Sequence, residues 1–258
     1  AAAGQRTIDH LDGFMQALVD DDAAAASGGG SLFGLALASS VDLDRLPGLV
    51  ERLRQAGTWV VPTETLIENF AAADRIPALL ERPEIDYLPP ALRQRYRDAL
   101  ARASLGSAAA QRALAVRKRQ IAALHEAGVG VLLGSDSPQI FNVPGFSIHR
   151  ELEAMVTAGL TPREALLTGT AAPARFFGRA DDFGTLRPGL AADLMWLRAD
   201  PTADIAATRD IAGVMVRGRW LDRATLDAGL ADIRQRYATE RMRISRYQRS
   251  SGRSLVTP

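Results

Sequence analysis

Two short apolar runs in this chain each lead to a side chain that can bind a metal or move a proton. Ile8-Asp9-His10-Leu11 carries an imidazole, and Val131-Leu132-Leu133-Gly134-Ser135-Asp136-Ser137 delivers a carboxylate. Each reads as a strand with its chemical group at the carboxyl end, where barrel enzymes place their active sites. A carboxylate closing an apolar strand is costly to bury unless it meets a cation or strong donors. Imidazole nitrogen and carboxylate oxygen are both zinc ligands, and a catalytic zinc takes about three protein ligands plus water. His10 and Asp136 supply two such donors, so they form part of a site. Plainer readings stand beside this one: His10 as a histidine hydrogen-bonded within the core, and Asp136 as the N-cap of the following segment.

Other chemistries find less support. His125, in Ala-Leu-His-Glu-Ala-Gly, falls inside a helical pattern and reads as structural. His149, in Ser147-Ile148-His149-Arg150-Glu151, opens a helix near the Asp136 loop, where packing or capping is its expected role. The sequence holds no His-x-His, no His-Glu-x-x-His and no Gly-x-Ser-x-Gly elbow. Zero cysteines remove disulfides, thiolate zinc sites and Cys nucleophiles, while leaving the compartment open. Among 31 basic residues the one lysine is Lys118. It sits in Arg117-Lys118-Arg119, expected to be the solvated face of a helix, which argues against Schiff-base chemistry. Without a Gly-x-x-x-x-Gly-Lys-Ser/Thr sequence, Ser27-Gly28-Gly29-Gly30-Ser31 reads as a flexible loop rather than a phosphate cradle.

The elements that must position His10 and Asp136 follow from periodicity. In 258 residues, 47% hydrophobic with a net charge of +1, there is material for one large domain or one with a small appendage. That charge gives no global attraction to nucleic acid or anionic membrane, and no apolar run approaches the ~18 residues of a membrane span. The N-terminal residues show no signal-peptide pattern. Ala1–Ala3 read as the last turn of a helix stopped at Gly4, with Arg6–Ile8 as a strand, so the chain is expected to begin within a longer structure. A mobile stretch over 20–31 precedes a helix at about 43–56, where Leu43, Leu46, Leu49, Val50 and Leu53 recur at helical steps and Gly57 ends it. Thr58–Pro62 is the next strand, with Thr63 and Glu64 at its carboxyl end. Residues 65–127 are mostly helical, broken at Pro83 and Pro89-Pro90, and feed a strand over 129–134. Thr161-Pro162-Arg163-Glu164 is a capping box with proline at the first helical position, and a further short helix ends at Gly178. This alternation predicts a parallel α/β unit over 1–180.

After Gly184 the pattern changes to short strands. Thr185-Leu186, Ala192–Leu197, Val214–Val216 and Arg219–Leu221, with turns at Pro188-Gly189 and Arg217-Gly218, form a small β appendage over 181–222. The tail, 223–258, spaces Leu230, Ile233, Tyr237, Ile244 and Tyr247 as a helix and carries seven arginines from Arg234 to Arg253 against Glu240. A docked apolar stripe with solvated arginines is expected there in preference to an RNA contact.

Taken in order, Thr7–Leu11, Gly134–Ser137, His149–Glu153, Thr161–Gly178 (TPREALLTGTAAPARFFG) and Gly184–Leu197 (GTLRPGLAADLMWL) resemble the amidohydrolase superfamily. The likeness is strongest to its imidazolonepropionase-like and Xaa-Pro dipeptidase-like branch. The helical insertion at about 65–127 and the arginine tail match less well. The resemblance implies the C-terminal part of a (β/α)8 TIM-like barrel plus a small β-sandwich appendage. It implies that His10 is the metal-binding histidine of strand six. Asp136 would be the strand-eight aspartate, a metal ligand and general base for one or two divalent ions such as zinc. The family's His-x-His pair on strand one, its carboxylated lysine on strand four and its strand-five histidine have no counterparts here. The expectation is therefore a metal-dependent hydrolase of amide-type C–N bonds in a peptide, dipeptide or cyclic amide. It would be completed by the missing N-terminal half or by a second chain, and would work as a homo-oligomer on a small-molecule or short peptide substrate, with loops 21–31 and 64–90, and Tyr87 among them, shaping the mouth. The alternative is a catalytically incomplete fragment with a binding or structural role.

Overall fold

A computed structural model describes residues 4–20, 22, 32–102 and 107–251, with side chains described as far as residue 240. The turn expected at Ala1–Ala3 and nearly all of the 20–31 stretch lie outside these residues.

Strand β1 (Thr7–Asp9) is followed by a short helix α1 (Phe14–Ala17) and then α2 (Leu46–Ala56). Helix α2 forms where the periodicity places it. Leu46, Leu49, Val50 and Leu53 fall on one buried face, and Gly57 at φ 62° ends it in the left-handed region that glycine enters without a Cβ penalty. Strand β2 (Trp59–Val61) returns parallel to β1 in the register Thr7↔Trp59, Ile8↔Val60, Asp9↔Val61.

Helices α3 (Glu64–Ala71), α4 (Ile76–Leu80), α5 (Pro90–Arg102) and α6 (Ser107–Glu126) fill the insertion. Its prolines stand at the breaks, where the ring removes an N–H donor and clashes with the preceding turn. The chain then runs back beside β2. Val60 N donates to Gly130 O at 2.9 Å and Leu132 N to Val60 O at 2.9 Å, a parallel bridge between Val60 and Val131. This third segment is less regular than the strand expected over 129–134, because Leu133 N turns to Thr168 O at 3.0 Å. Glycine at 130 and 134 permits the close approach. A Cβ at Gly130 would stand 2.1 Å from the Trp59 ring, and one at Gly134 2.5 Å from Val61 Cγ1.

The apolar cluster under this layer joins Leu11, Leu53, Val60, Leu124, Val131 and Met155. It lies between the parallel segments and helices α2, α6 and α7 (Ser147–Thr157). Helix α8 (Pro162–Thr168) opens on the capping box: Thr161 Oγ1 accepts from Glu164 N at 3.3 Å, and the Glu164 carboxylate accepts from Thr161 N at 2.8 Å. Helix α9 (Ala171–Phe176) stops before Gly178. No closed barrel is seen among the described residues. A barrel of this kind closes with eight strands, and the parallel layer here has β1, β2 and the Val131 bridge.

Among the described residues the appendage forms one antiparallel sheet, in the order β3 (Leu194–Leu197), β4 (Ile211–Val216), β5 (Arg219–Asp222). Arg217 at φ 51° and Gly218 at φ 76° make the two-residue turn whose twist suits a hairpin. Thr185-Leu186 is no strand. The chain there is drawn into turns, with Ala191 N on Asp182 O at 2.8 Å, and Leu186 is 86% exposed. Helix α10 (Arg223–Ser251) lays half-buried Leu226, Leu230, Ile233 and Tyr237 against the sheet and the 83–87 turn. Among the described residues no helix is long and apolar enough to cross a membrane.

Candidate functional site

The carboxyl ends of β1, β2 and the 129–134 segment come together on one rim, where His10, Thr63 and Asp136 stand side by side. The backbone at each end is held in the left-handed region, at His10 (φ 60°), Leu11 (φ 53°), Thr63 (φ 53°) and Asp136 (φ 51°). For residues with a Cβ this conformation costs on the order of 1–3 kcal/mol and concentrates at functional sites. It is most telling at β-branched Thr63.

His10 Nε2 and Asp136 Oδ2 lie 3.7 Å apart, with side chains 23% and 27% exposed. That is too far for a hydrogen bond. The other ring nitrogen, Nδ1, is 2.8 Å from Thr63 Oγ1, and Phe33 tilts against the imidazole with centroids 5.3 Å apart. Asp136 does not cap a helix. Its Oδ2 accepts from Gln139 Nε2 at 2.8 Å, and the next helix begins only at Ser147. The Asp136 loop is pinned from behind by buried Asn142, whose Nδ2 donates to Ser135 O. Asn142 Oδ1 accepts from Thr65 Oγ1 at 3.1 Å and Asn69 Nδ2 at 2.9 Å.

Behind the rim lies a buried charge network that corrects the expectation for α6. Arg117 is not part of a solvated face: its side chain is 0% exposed, and it pairs with Glu64 Oε1 at 2.5 Å. It also donates to His10 O at 2.9 Å and Pro62 O at 3.1 Å, joining the ends of β1 and β2. Its position could have been read from α6, where Ala110, Ala113, Arg117, Gln120, Ile121 and Leu124 recur at three- and four-residue steps and are all buried. Glu151, fully buried on α7, accepts from the N–H groups of Glu64 at 2.9 Å and Thr65 at 2.8 Å in the first turn of α3. Burial lifts its carboxyl to about 8; nearby Glu64 and Glu68 push the same way, against the two backbone donors. Burial likewise raises Glu68, with Glu64 adding to it.

The remaining candidates sit elsewhere. His149 is buried with Nδ1 3.0 Å from Thr208 Oγ1, and burial, then Arg209, lowers its pKa; it packs, as expected. His125 pairs with Glu164 of the capping box at 3.3 Å. Tyr87 stacks on Phe146 at 4.8 Å and accepts from Arg234 at 2.8 Å, a contact with the tail helix rather than with the rim.

Whether the rim suits a divalent cation can be tested on its donors. Two ligands at ~2.0–2.2 Å from one tetrahedral ion stand roughly 3.4 Å apart, close to the 3.7 Å observed. The pair therefore fits one edge of a coordination shell. It is not a whole site, because no group of three or more His, Cys, Asp or Glu residues gathers among the described residues.

Residues 10–221 match the family model of the Amidohydrolase family. In structure the chain is similar to a bottromycin amidohydrolase (24% identity, TM-score 0.63), covering 90% of this chain and 49% of that one. It is also similar to A. niger ochratoxinase (20% identity, TM-score 0.50, 86% of this chain and 38% of that one). A Xaa-Pro dipeptidase gives 17% identity, a TM-score of 0.46, and coverage of 78% and 47%. At these identities the likeness to the first two is one of fold, and the chain spans half or less of each structure's length. No curated protein matches it by sequence.

Proposed function

The chain belongs to the amidohydrolase family, and on that premise we propose that it carries part of the site of a metal-dependent hydrolase of amide-type C–N bonds. The substrate class is a peptide, a dipeptide or a cyclic amide. The observation that supports this most is the approach of His10 Nε2 to Asp136 Oδ2 at adjacent strand ends, 3.7 Å apart without a hydrogen bond. His10 and Asp136 would hold a divalent cation, zinc or one like it, with further donors from polypeptide outside these residues, as a preceding segment or a second chain. When bound, such an ion lowers the pKa of water toward roughly 7 and polarises a carbonyl. Asp136 accepts the proton of the attacking water and returns it to the leaving nitrogen as the C–N bond breaks. Gln139 steadies the carboxylate for that exchange. His10 would hold the cation through Nε2, while Phe33 walls one side of the ring.

The parallel layer does not close among the described residues, and this supports the same reading, because open strand edges invite a partner. Metal analysis and sedimentation of the purified 258-residue chain test it. Expected are weak, substoichiometric binding of a divalent ion, abolished in H10A and D136A, and no amide hydrolysis by the lone chain. Coding sequence upstream should specify a His-x-His pair and a strand-end lysine. A monodisperse, fully metal-loaded and active monomer would refute the need for completion. Binding unchanged in H10A and D136A would remove the site itself.

A further inference from the structure

The hydroxyl of Thr63 has one proton and two close neighbours, and this decides which nitrogen of His10 is free. Thr63 Oγ1 lies 2.7 Å from Pro62 O and 2.8 Å from His10 Nδ1. Pro62 O can only accept. If the hydroxyl gave its proton to Nδ1, two oxygens would face each other at 2.7 Å with no hydrogen between them, a repulsive contact. If it donates to Pro62 O, Oγ1 has a lone pair left for an N–H on Nδ1, and every group is satisfied. We propose that Thr63 is a positioning residue that holds neutral His10 as its Nδ1–H tautomer, leaving a bare Nε2 lone pair turned toward Asp136.

Three further observations agree. The acceptor carbonyl is itself fixed, because Arg117 donates to Pro62 O at 3.1 Å and to His10 O at 2.9 Å from a fully buried side chain. Thr63 is held at φ 53°, a conformation β-branched residues rarely adopt and one that concentrates at functional sites. Nε2 and Asp136 Oδ2 are 3.7 Å apart, beyond hydrogen-bond reach, so no Nε2–H···carboxylate bond competes to fix the other tautomer. A ring nitrogen that binds a metal needs such a lone pair, with the other nitrogen's proton anchored. The use of that lone pair rests on the proposed metal reading; the tautomer does not.

The test is a long-range ¹H–¹⁵N imidazole spectrum of the wild-type chain, at a pH where the ring is neutral. The sequence has three histidines, so His125 and His149 serve as internal references. Expected for His10 is a pyrrole-like Nδ1 and a pyridine-like Nε2. A protonated Nε2 overturns the proposal before any variant is made. In T63V, which keeps the branched shape and loses the hydroxyl, the two His10 nitrogens should average toward a tautomer mixture while His125 and His149 stay put. T63S should restore the wild-type pattern. An unchanged Nδ1–H signature in T63V overturns the assignment; if T63V fails to fold, T63A and the wild-type spectrum decide the same question. Titration with Co²⁺ separates the two readings. T63V should bind about tenfold to a hundredfold more weakly than wild type, the usual cost of losing a ligand's supporting partner. Failure of the wild type to bind Co²⁺ would sink the metal reading and leave the tautomer to the spectrum.

Discussion

Replacing Arg117 with methionine should be among the most damaging single changes in the chain. The guanidinium is 0% exposed and Glu64 is 4% exposed, so the substitution leaves a carboxylate in the interior without its cation. Breaking one partner of a buried pair costs ~3–5 kcal/mol. The carbonyl of His10 also loses its 2.9 Å donor, and an orphaned buried acceptor adds ~1–3 kcal/mol. Against the ~5–15 kcal/mol that holds a typical domain folded, R117M should lose most of its stability. The double variant E64Q/R117M removes the stranded charge as well, and should recover roughly 2–3 kcal/mol, the size of coupling found between groups in direct contact. Urea denaturation of wild type, both single variants and the double variant, followed by tryptophan fluorescence, measures this cycle. R54A is the control: Arg54 pairs with Glu51 in solvent, so its midpoint should not move measurably. A loss below ~1 kcal/mol in R117M, or a double variant no better than the single, would refute the idea that this pair joins the strand ends.

Further outcomes follow from the same rim. Glu151 holds its proton to about 8 in the folded chain against 4.5 when exposed. The folded state thus binds more protons than the unfolded one between those values. The stability this supplies is complete below about 4.5 and declines as pH rises through about 8, by ~1.4 kcal/mol per unit at most. E151Q should lack this decline, so denaturation midpoints of the two proteins should converge from pH 5 toward pH 9; a constant gap would be the contrary result. In G134A the new Cβ would sit 2.5 Å from Val61 Cγ1, an overpacking worth ~1–3 kcal/mol that pushes the Asp136 loop off β2. Adding V61A should relieve it, and melting curves that show no relief would count against the packing account. H10A and D136A should fold as the wild type does yet lose divalent-ion binding, as read by metal analysis.

Much of this protein was legible in its residues taken in order. Helix α2 is where Leu46, Leu49, Val50 and Leu53 put it. The capping box opens α8, and the turn at Arg217-Gly218 joins β4 to β5. These are local: helical spacing, an N-cap and a two-residue turn each act within a few residues. His10 and Asp136 were legible as single strand-end groups for the same reason. Their approach, 126 positions apart in sequence, depends on the parallel pairing of β1, β2 and the Val131 bridge, which no local pattern specifies.

What only the tertiary structure decided is what anchors the buried charges. Helical spacing puts Arg117 on the apolar stripe of α6, but the sequence does not name the partner a buried guanidinium would find there. Packing turns it inward to Glu64 and two strand-end carbonyls. Thr63 became the partner of His10, and Glu151 the distant cap of α3, through contacts between residues far apart in the chain. Chain order sets the chemistry each position can offer. A buried charge, however, persists only where its counter-charge and donors arrive by folding, and that arrival is a property of three-dimensional packing.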